Sequence, residues 1–342
     1  MRLPLPWLLA LTGGALALLL VGSLATGPMS LSFGESLRAL FAGQESGMEA
    51  HKLLVVKEIR LPRTLLCIAV GGILGLCGAV MQGLFRNPLA DPGIIGVSGG
   101  AALGAALAIV LLAPLGQQLQ SLLGLGLLPL LAFLGGALTT TLVYLLGTRE
   151  GGTSVTVMLL AGVAITALSG AVIGLLTYLA DDQMLRNLSL WQMGSLAAGK
   201  PVDVGLALAT LVALLWLFMR DANPLNALLL GEGEARHLGV NVQALKRRLI
   251  LLTAAGVGVA VAVAGMIGFV GLVVPHLVRL LAGPNHVRLL PLSALLGAAL
   301  LLGADMLART LLAPAEMPVG IITALLGAPF FIWLLVKSRR TL

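Results

Sequence analysis

The chain has 342 residues, 58% of them hydrophobic and only 10% charged, with a mean hydropathy of +1.05, whereas a soluble domain carries about 25% charged residues. That excludes an ordinary soluble globule, and scarce aromatics with little two-residue alternation exclude a β-barrel. The formal charge of +7 could suit nucleic acid, but most basic residues fall between apolar segments, where membrane topology accounts for them.

Uncharged runs that reach the roughly 20 residues of a helical crossing are taken as spans. The apolar stretch Leu5–Ala25 follows Arg2 and has a poor cleavage site after it, so it is read as a retained first helix rather than a secretory signal. The second span covers 62–82. Residues 92–148 carry no charge, and "APLGQQLQS" with Pro129 divides them into crossings at 94–113 and 127–147. Further spans are expected at 157–179, 203–219, 249–266, 268–282 (punctuated by Pro275), 288–307 and 318–336. The expectation is an all-α, polytopic membrane protein of about ten transmembrane helices, a single domain over residues 1–342. Basic residues at Arg86, Arg149, Arg220–Arg248 and the C-terminal "KSRR" put both termini in the cytoplasm.

The turn after the second span, "FRNPLADPGIIGVSGGA", concentrates polar and turn-forming residues. Asn87-Pro88 ends the helix, Arg86 marks the cytoplasmic face, and Asp91-Pro92 reads as an N-cap with proline at the first helical position. Gly96, Gly100 and Gly104, like Gly75, Ala79 and Gly83, recur every four residues and allow close helix approach in lipid.

Catalytic chemistry finds no footing. There is no HExxH, Walker loop or GxSxG, and His51, His237, His276 and His286 have no paired spacing. Cys67 and Cys77 lie about 15 Å apart along one helix, too far for a disulfide, and suggest no metal. Acidic residues fall at predicted helix ends or in loops; Asp305 and Glu316, flanking an outer turn, read as solvated or capping groups. An ion-coupled carrier keeps ionisable groups near the membrane centre, so the energy for transport is expected from elsewhere. The longest polar stretch, 220–248, offers a place for a cytoplasmic partner. It reads as short amphipathic helices with a turn at Asn223-Pro224, Leu225, Leu228, Leu229 and Leu238 on one side, and Glu232, Glu234 and Arg236 exposed. Arg60, Arg63 and Arg309 lie at the outer face against the positive-inside trend, as snorkelling anchors or as a docking patch for an acidic partner.

Six motifs in order, "RLPRTL", "AVMQGLFRNPLADPGIIGVSGGA", "LLAGVAI", "LLLGEGEARHLGV", "GMIGFVGLVVPHLVRLL" and "EMPVGIITALLGAPFFIWLL", resemble the FecCD permeases, membrane subunits of type II ABC importers for iron-siderophores, haem and cobalamin. The resemblance implies a ten-helix, cobalamin-permease-like fold in the bacterial inner membrane. It implies as partners a second copy of the chain, two cytoplasmic ATPase subunits that hold the ATP and Mg, and a periplasmic binding protein. No cofactor, metal or nucleic acid is expected on this chain. By the same resemblance Arg60, Arg63 and Arg309 match binding-protein docking positions. The stretch 223–241 matches the ATPase-coupling helices, with Asn223, Pro224, Leu228, Gly231, Glu232, Ala235, Arg236 and Gly239 as candidates. Asn87 and Leu89 match one cytoplasmic gate; Ser154 and Val155 match a second, at which Val155 replaces a polar residue of the cobalamin member. "LLTYLADDQMLRNLSLWQMGSL", Leu175–Leu196, resembles haem permeases most. Haem is therefore the first expectation for cargo, with ferric siderophore or cobalamin, or a secondary carrier without an ATPase, as alternatives.

Overall fold

The structure, a computed structural model, describes residues 4–27, 29, 31–41, 49–112, 126–149, 152–197 and 199–339, the side chains of 335 and 337–339 excepted. Arg2, Arg340, the side chains of Lys337 and Arg339, and the predicted break "APLGQQLQS" lie outside the described residues. The helices are α1 (Leu5–Ala25), α2 (Phe33–Phe41), α3 (Ala50–Leu84), α4 (Val97–Val110), α5 (Leu127–Gly147), α6 (Val155–Leu179), α7 (Asp182–Gln192), α8 (Pro201–Arg220), α9 (Ala222–Leu230), α10 (Glu232–His237), α11 (Val242–Ala264), α12 (Val270–Ala282), α13 (His286–Thr310) and α14 (Val319–Arg339). Among the described residues seven are long and apolar enough to cross a membrane, and α4, α12 and the stretch Val319–Leu334 of α14 are shorter apolar segments at the remaining predicted spans.

α3 is the central post. It is buried along most of its length and packs on α13, α8, α12 and α11. Glycine makes the α3–α13 contact close: a Cβ at Gly71 would lie 2.4 Å from the Gly297 carbonyl oxygen, and one at Gly75 2.4 Å from that of Ser293. The second intimate pair is α4 with α5, where a Cβ at Gly104 would lie 1.9 Å from the Leu131 oxygen. Lipid tails compete with apolar side chains, so tight backbone approach and dispersion contacts hold such helices together.

α3 begins at Ala50, well before the predicted span, and its stretch Val55–Arg60 is a π-helical turn. Such turns shift the register of side chains, and here the register change falls at Arg60. The Asp91-Pro92 expectation holds for a single 3₁₀ turn, Pro92–Ile95: Asp91 Oδ1 accepts from Gly93 N at 2.7 Å. The α-helix itself starts at Val97, after Gly96 in the left-handed region (φ 82°).

α12 has 13 residues, about 20 Å at 1.5 Å per residue, short of the roughly 30 Å hydrocarbon core, so a crossing at this segment would include the non-helical link Gly265–Phe269. Irregular backbone is tolerated there only when protein covers it. Ser195 N donates to Ala264 O at 2.8 Å, and Cβ atoms at Gly194 and Gly320 would fall 2.4 and 3.1 Å from Met266 O, so backbone meets backbone on both sides.

Three small elements were not foreseen in the sequence. α2 opens on a capping box, with Ser32 N donating to Glu35 Oε2 (2.9 Å) and Glu35 N to Ser32 Oγ (3.2 Å). α7 is capped by Asp181, whose Oδ1 accepts from Met184 N at 2.7 Å. A two-residue hairpin, β1 (Thr148–Arg149) and β2 (Gly152–Thr153), joins α5 to α6.

Candidate functional site

Arg60, Arg63 and Arg309 converge at one end of the bundle, and all three are buried. Arg60 Nη1 donates to the Leu24 and Ala25 carbonyls (2.7 and 2.9 Å), and Arg309 Nη1 to those of Ser23 and Thr26 (3.2 and 3.1 Å). Those carbonyls belong to the C-terminal turn of α1, which has no intrahelical donors left, so two guanidinium groups cap it. Arg63 Nε donates to both Asp305 oxygens (3.0 and 3.2 Å) and its Nη1 to Glu316 Oε2 (2.7 Å), while Arg309 Nε lies 3.0 Å from Asp305 Oδ2. Asp305 is thus fully buried between two arginines, which corrects its reading as a solvated or capping group. Contacts with the α1 carbonyls and with Asp305 account for the burial of the three arginines. Three guanidiniums against two carboxylates still leave one positive charge in excess.

Asn87, Leu89 and the coupling candidates lie at the opposite end. Asn87 and Leu89 are exposed, and Asn87 Oδ1 accepts from Leu89 N at 2.9 Å, folding the turn on itself. Arg86 precedes them in the left-handed region (φ 49°). Ser154 is exposed and N-caps α6, with Val155 half-buried beside it.

The predicted turn at Asn223-Pro224 is instead the first turn of α9, where proline's missing N–H costs no helical bond. α9 and α10 meet at Gly231, whose φ of 131° favours glycine, and α10 ends before Gly239 (φ 81°). The expected leucine stripe is divided. Leu225 and Leu228 are buried and seat α9 on the bundle, as Ala235 does for α10, whereas Leu229, Leu230 and Leu238 are exposed beside Asn223, Glu234 and Arg236. Polar bonds pin the pair: Asn226 Nδ2 donates to Asn285 Oδ1 (3.0 Å), Arg248 Nε to Asp221 Oδ2 (2.7 Å), and Lys246 Nζ to Glu232 Oε1 (2.6 Å). Pattern reading missed Lys246, because a lysine in a basic loop gives no sign that it is buried.

Between the two ends, a cavity of about 180 Å³ is lined by Leu74, Asp91, Ser98, Val261, Met266 and Gly271 among others. Burial there pushes the Asp91 carboxyl above its usual range, and the Gly93 N–H works against it. An open groove of about 410 Å³ follows along Gly93, Ile94, Gly162, Val163, Thr166 and Ala167. Its lining is small and, apart from Thr166, apolar. Tyr178 is exposed, and Met184 packs half-buried against the α4–α6 cluster. Among the described residues no three His, Cys, Asp or Glu side chains are placed to hold a metal ion.

Comparison with known proteins adds a lineage. The FecCD transport family matches residues 11–337. The hemin transport system permease protein of Yersinia pestis is 48% identical over 342 residues, covering 99% of this chain and 97% of that protein. The vitamin B12 import system permease protein of Klebsiella pneumoniae is 41% identical over 338 residues, covering 97% and 94%. A solved inward-facing conformation of a metal-chelate type ABC transporter superposes with a TM-score of 0.82 at 34% identity, over 98% of this chain and all of that one.

Proposed function

The chain belongs to the FecCD transport family, and from that premise we propose that it is the permease subunit of an ATP-driven importer that moves haem from periplasm to cytoplasm. The observation that carries the proposal is the 48% identity to a hemin permease over almost the whole of both chains. The chain is a transport component and not an enzyme, and it is a multi-pass protein of the inner membrane. Cobalamin is the second reading of the cargo, since relatives named for it reach 41 to 44% identity.

In this proposal residues 1–342 form one transmembrane domain that pairs with a second copy, and both termini are cytoplasmic. α1 ends, and α14 begins, at the Arg63 end, and each has 21 residues, about 31 Å; this supports placing their other ends beside Asn87. Two ATPase subunits, which carry ATP and Mg, seat against the coupling segment of Asn223, Pro224, Gly231, Glu232, Arg236 and Gly239, with Leu228 and Ala235 holding its two helices on the bundle. Exposed Leu229, Leu230 and Leu238 give that seat an apolar centre. Asn87 with Leu89, and Ser154 with Val155, act as cytoplasmic gates. A periplasmic binding protein docks at the Arg60, Arg63 and Arg309 end. Because these side chains are held within the chain, their net positive charge steers an acidic surface and orients it, a contribution to encounter rate more than to affinity.

Reconstitution in vesicles with the ATPase subunit and the binding protein tests this. ATP-dependent uptake of haem, with none for cobalamin, is expected. Uptake driven by a proton or sodium gradient without any ATPase would refute the importer reading, and cobalamin uptake alone would refute the cargo.

A further inference from the structure

We propose that Lys246, with Gln243, forms the mechanical link between the coupling helices and the second gate, an inference that rests on the coupling and gate roles proposed above. Lys246 is buried in the first turns of α11, and its ammonium group makes two bonds. One goes to Glu232 Oε1 (2.6 Å), the first residue of α10; the other goes to the Thr153 carbonyl (3.0 Å), one residue before Ser154. Gln243, three residues earlier and so on the same helix face, accepts from Thr153 N through Oε1 at 3.0 Å. The peptide groups on both sides of Thr153 are therefore held by one face of α11. Gly152 permits the approach: its φ is 112°, and a Cβ there would lie 2.4 Å from Gln243 Nε2.

Thr153 is itself bound into the β1–β2 hairpin, paired with Thr148. Ser154 N then donates to Gly147 O at 2.9 Å, and the chain passes directly into α6. Displacement of α10 is thus transmitted from Glu232 through Lys246 to the start of α6. A buried ammonium resists separation from its carboxylate, because an unpaired charge would be left out of water. α6 can respond: only 17% of its apolar stretch is buried within the chain, against 89% for α3.

The test uses the complex with its ATPase subunit and a reporter, Thr156→Cys, at an exposed position of α6; the native cysteines Cys67 and Cys77 are fully buried and do not react. Labelling by a membrane-impermeant maleimide is compared without nucleotide and after trapping with ATP and vanadate, so no cargo need be known. Lys246→Met is expected to shrink the nucleotide-dependent change in labelling rate by roughly two- to thirtyfold, with ATPase co-purification and ATP hydrolysis kept, and Lys246→Arg is expected to restore it. An undiminished change in Lys246→Met overturns the link. If that variant fails to assemble, Gln243→Ala decides, since it removes the Thr153 N bond without stranding a charge: a reduced change supports the link, an unaltered one overturns it. A parent complex that assembles but shows no nucleotide-dependent labelling overturns the gate and coupling roles themselves, and the link with them. In that case the vesicle uptake assay still reports separately on transport.

Discussion

At the scale of single residues, Asp305 stands out as the charge on which others depend. Its carboxylate serves Arg63 and Arg309 together, and all three are buried. Asp305→Asn leaves two guanidiniums without their shared counterion, and a loss of about 3–5 kcal/mol is expected, read as a lower thermal midpoint in detergent. Glu316→Gln removes a partner from the same Arg63, but its side chain is 38% exposed, so its cost is at most about 1 kcal/mol. Equal destabilisation by the two variants would contradict this assignment. Glycines divide in the same way. Gly104→Ala forces a methyl group toward the Leu131 oxygen and is expected to cost about 1–3 kcal/mol. Gly170→Ala meets nothing within 4 Å and should stabilise α6 by up to about 1 kcal/mol.

Individual elements carry their own signatures. α2 depends on Glu35, whose pKa falls from 4.5 to about 2 through the Ser32 backbone N–H first, then the Ser32 hydroxyl and Lys52. Between those values the folded helix binds fewer protons than the unfolded one, so the capping contribution is complete above about pH 4.5 and is lost as pH falls through 2. The hydrogen-exchange protection factors of the Phe33–Phe41 amides, taken relative to the intrinsic rate at each pH, should fall as pH drops over that window and stay level between pH 6 and 8. The α9–α10 pair is bound to α11 and α13 by side-chain bonds at Asp221, Asn226 and Glu232. Its exposed leucines remain available, and Leu229→Asp with Leu238→Asp should abolish co-purification of an ATPase subunit while leaving the thermal midpoint unchanged. A fall in both would place these leucines in the fold instead.

For the whole molecule, the contrast between α3 and α6 matters most. α3 is enclosed by four helices through glycine contacts with backbone, whereas α5, α6 and α8 expose long apolar faces. Such a post with less enclosed neighbours is compatible with rigid-body rearrangement around α3, because packed interfaces move as bodies. The purified complex is expected to contain two copies of this chain and two of the ATPase, a ratio that native mass measurement checks. An assembly with one copy would refute the pairing.

The sequence alone determined the membrane class, the apolar segments, the motif order and the candidate residues, because crossing hydrocarbon imposes a length and a composition that can be read locally. The turn at Asn87 was legible for the same reason, since proline acts on its own backbone, whereas the turn expected at Asn223-Pro224 lies inside a helix and the chain breaks at Gly231 and Gly239 instead. The tertiary structure decided which charges are buried. Asp305 lies 242 residues from Arg63, and Lys246 lies 93 from Thr153, so no local pattern marks these pairings. It also decided that Leu225 and Leu228 face the bundle while Leu229 and Leu238 do not. A leucine stripe looks alike whether it seats a helix or receives a partner, and only packing against α3 and α13 tells the two apart.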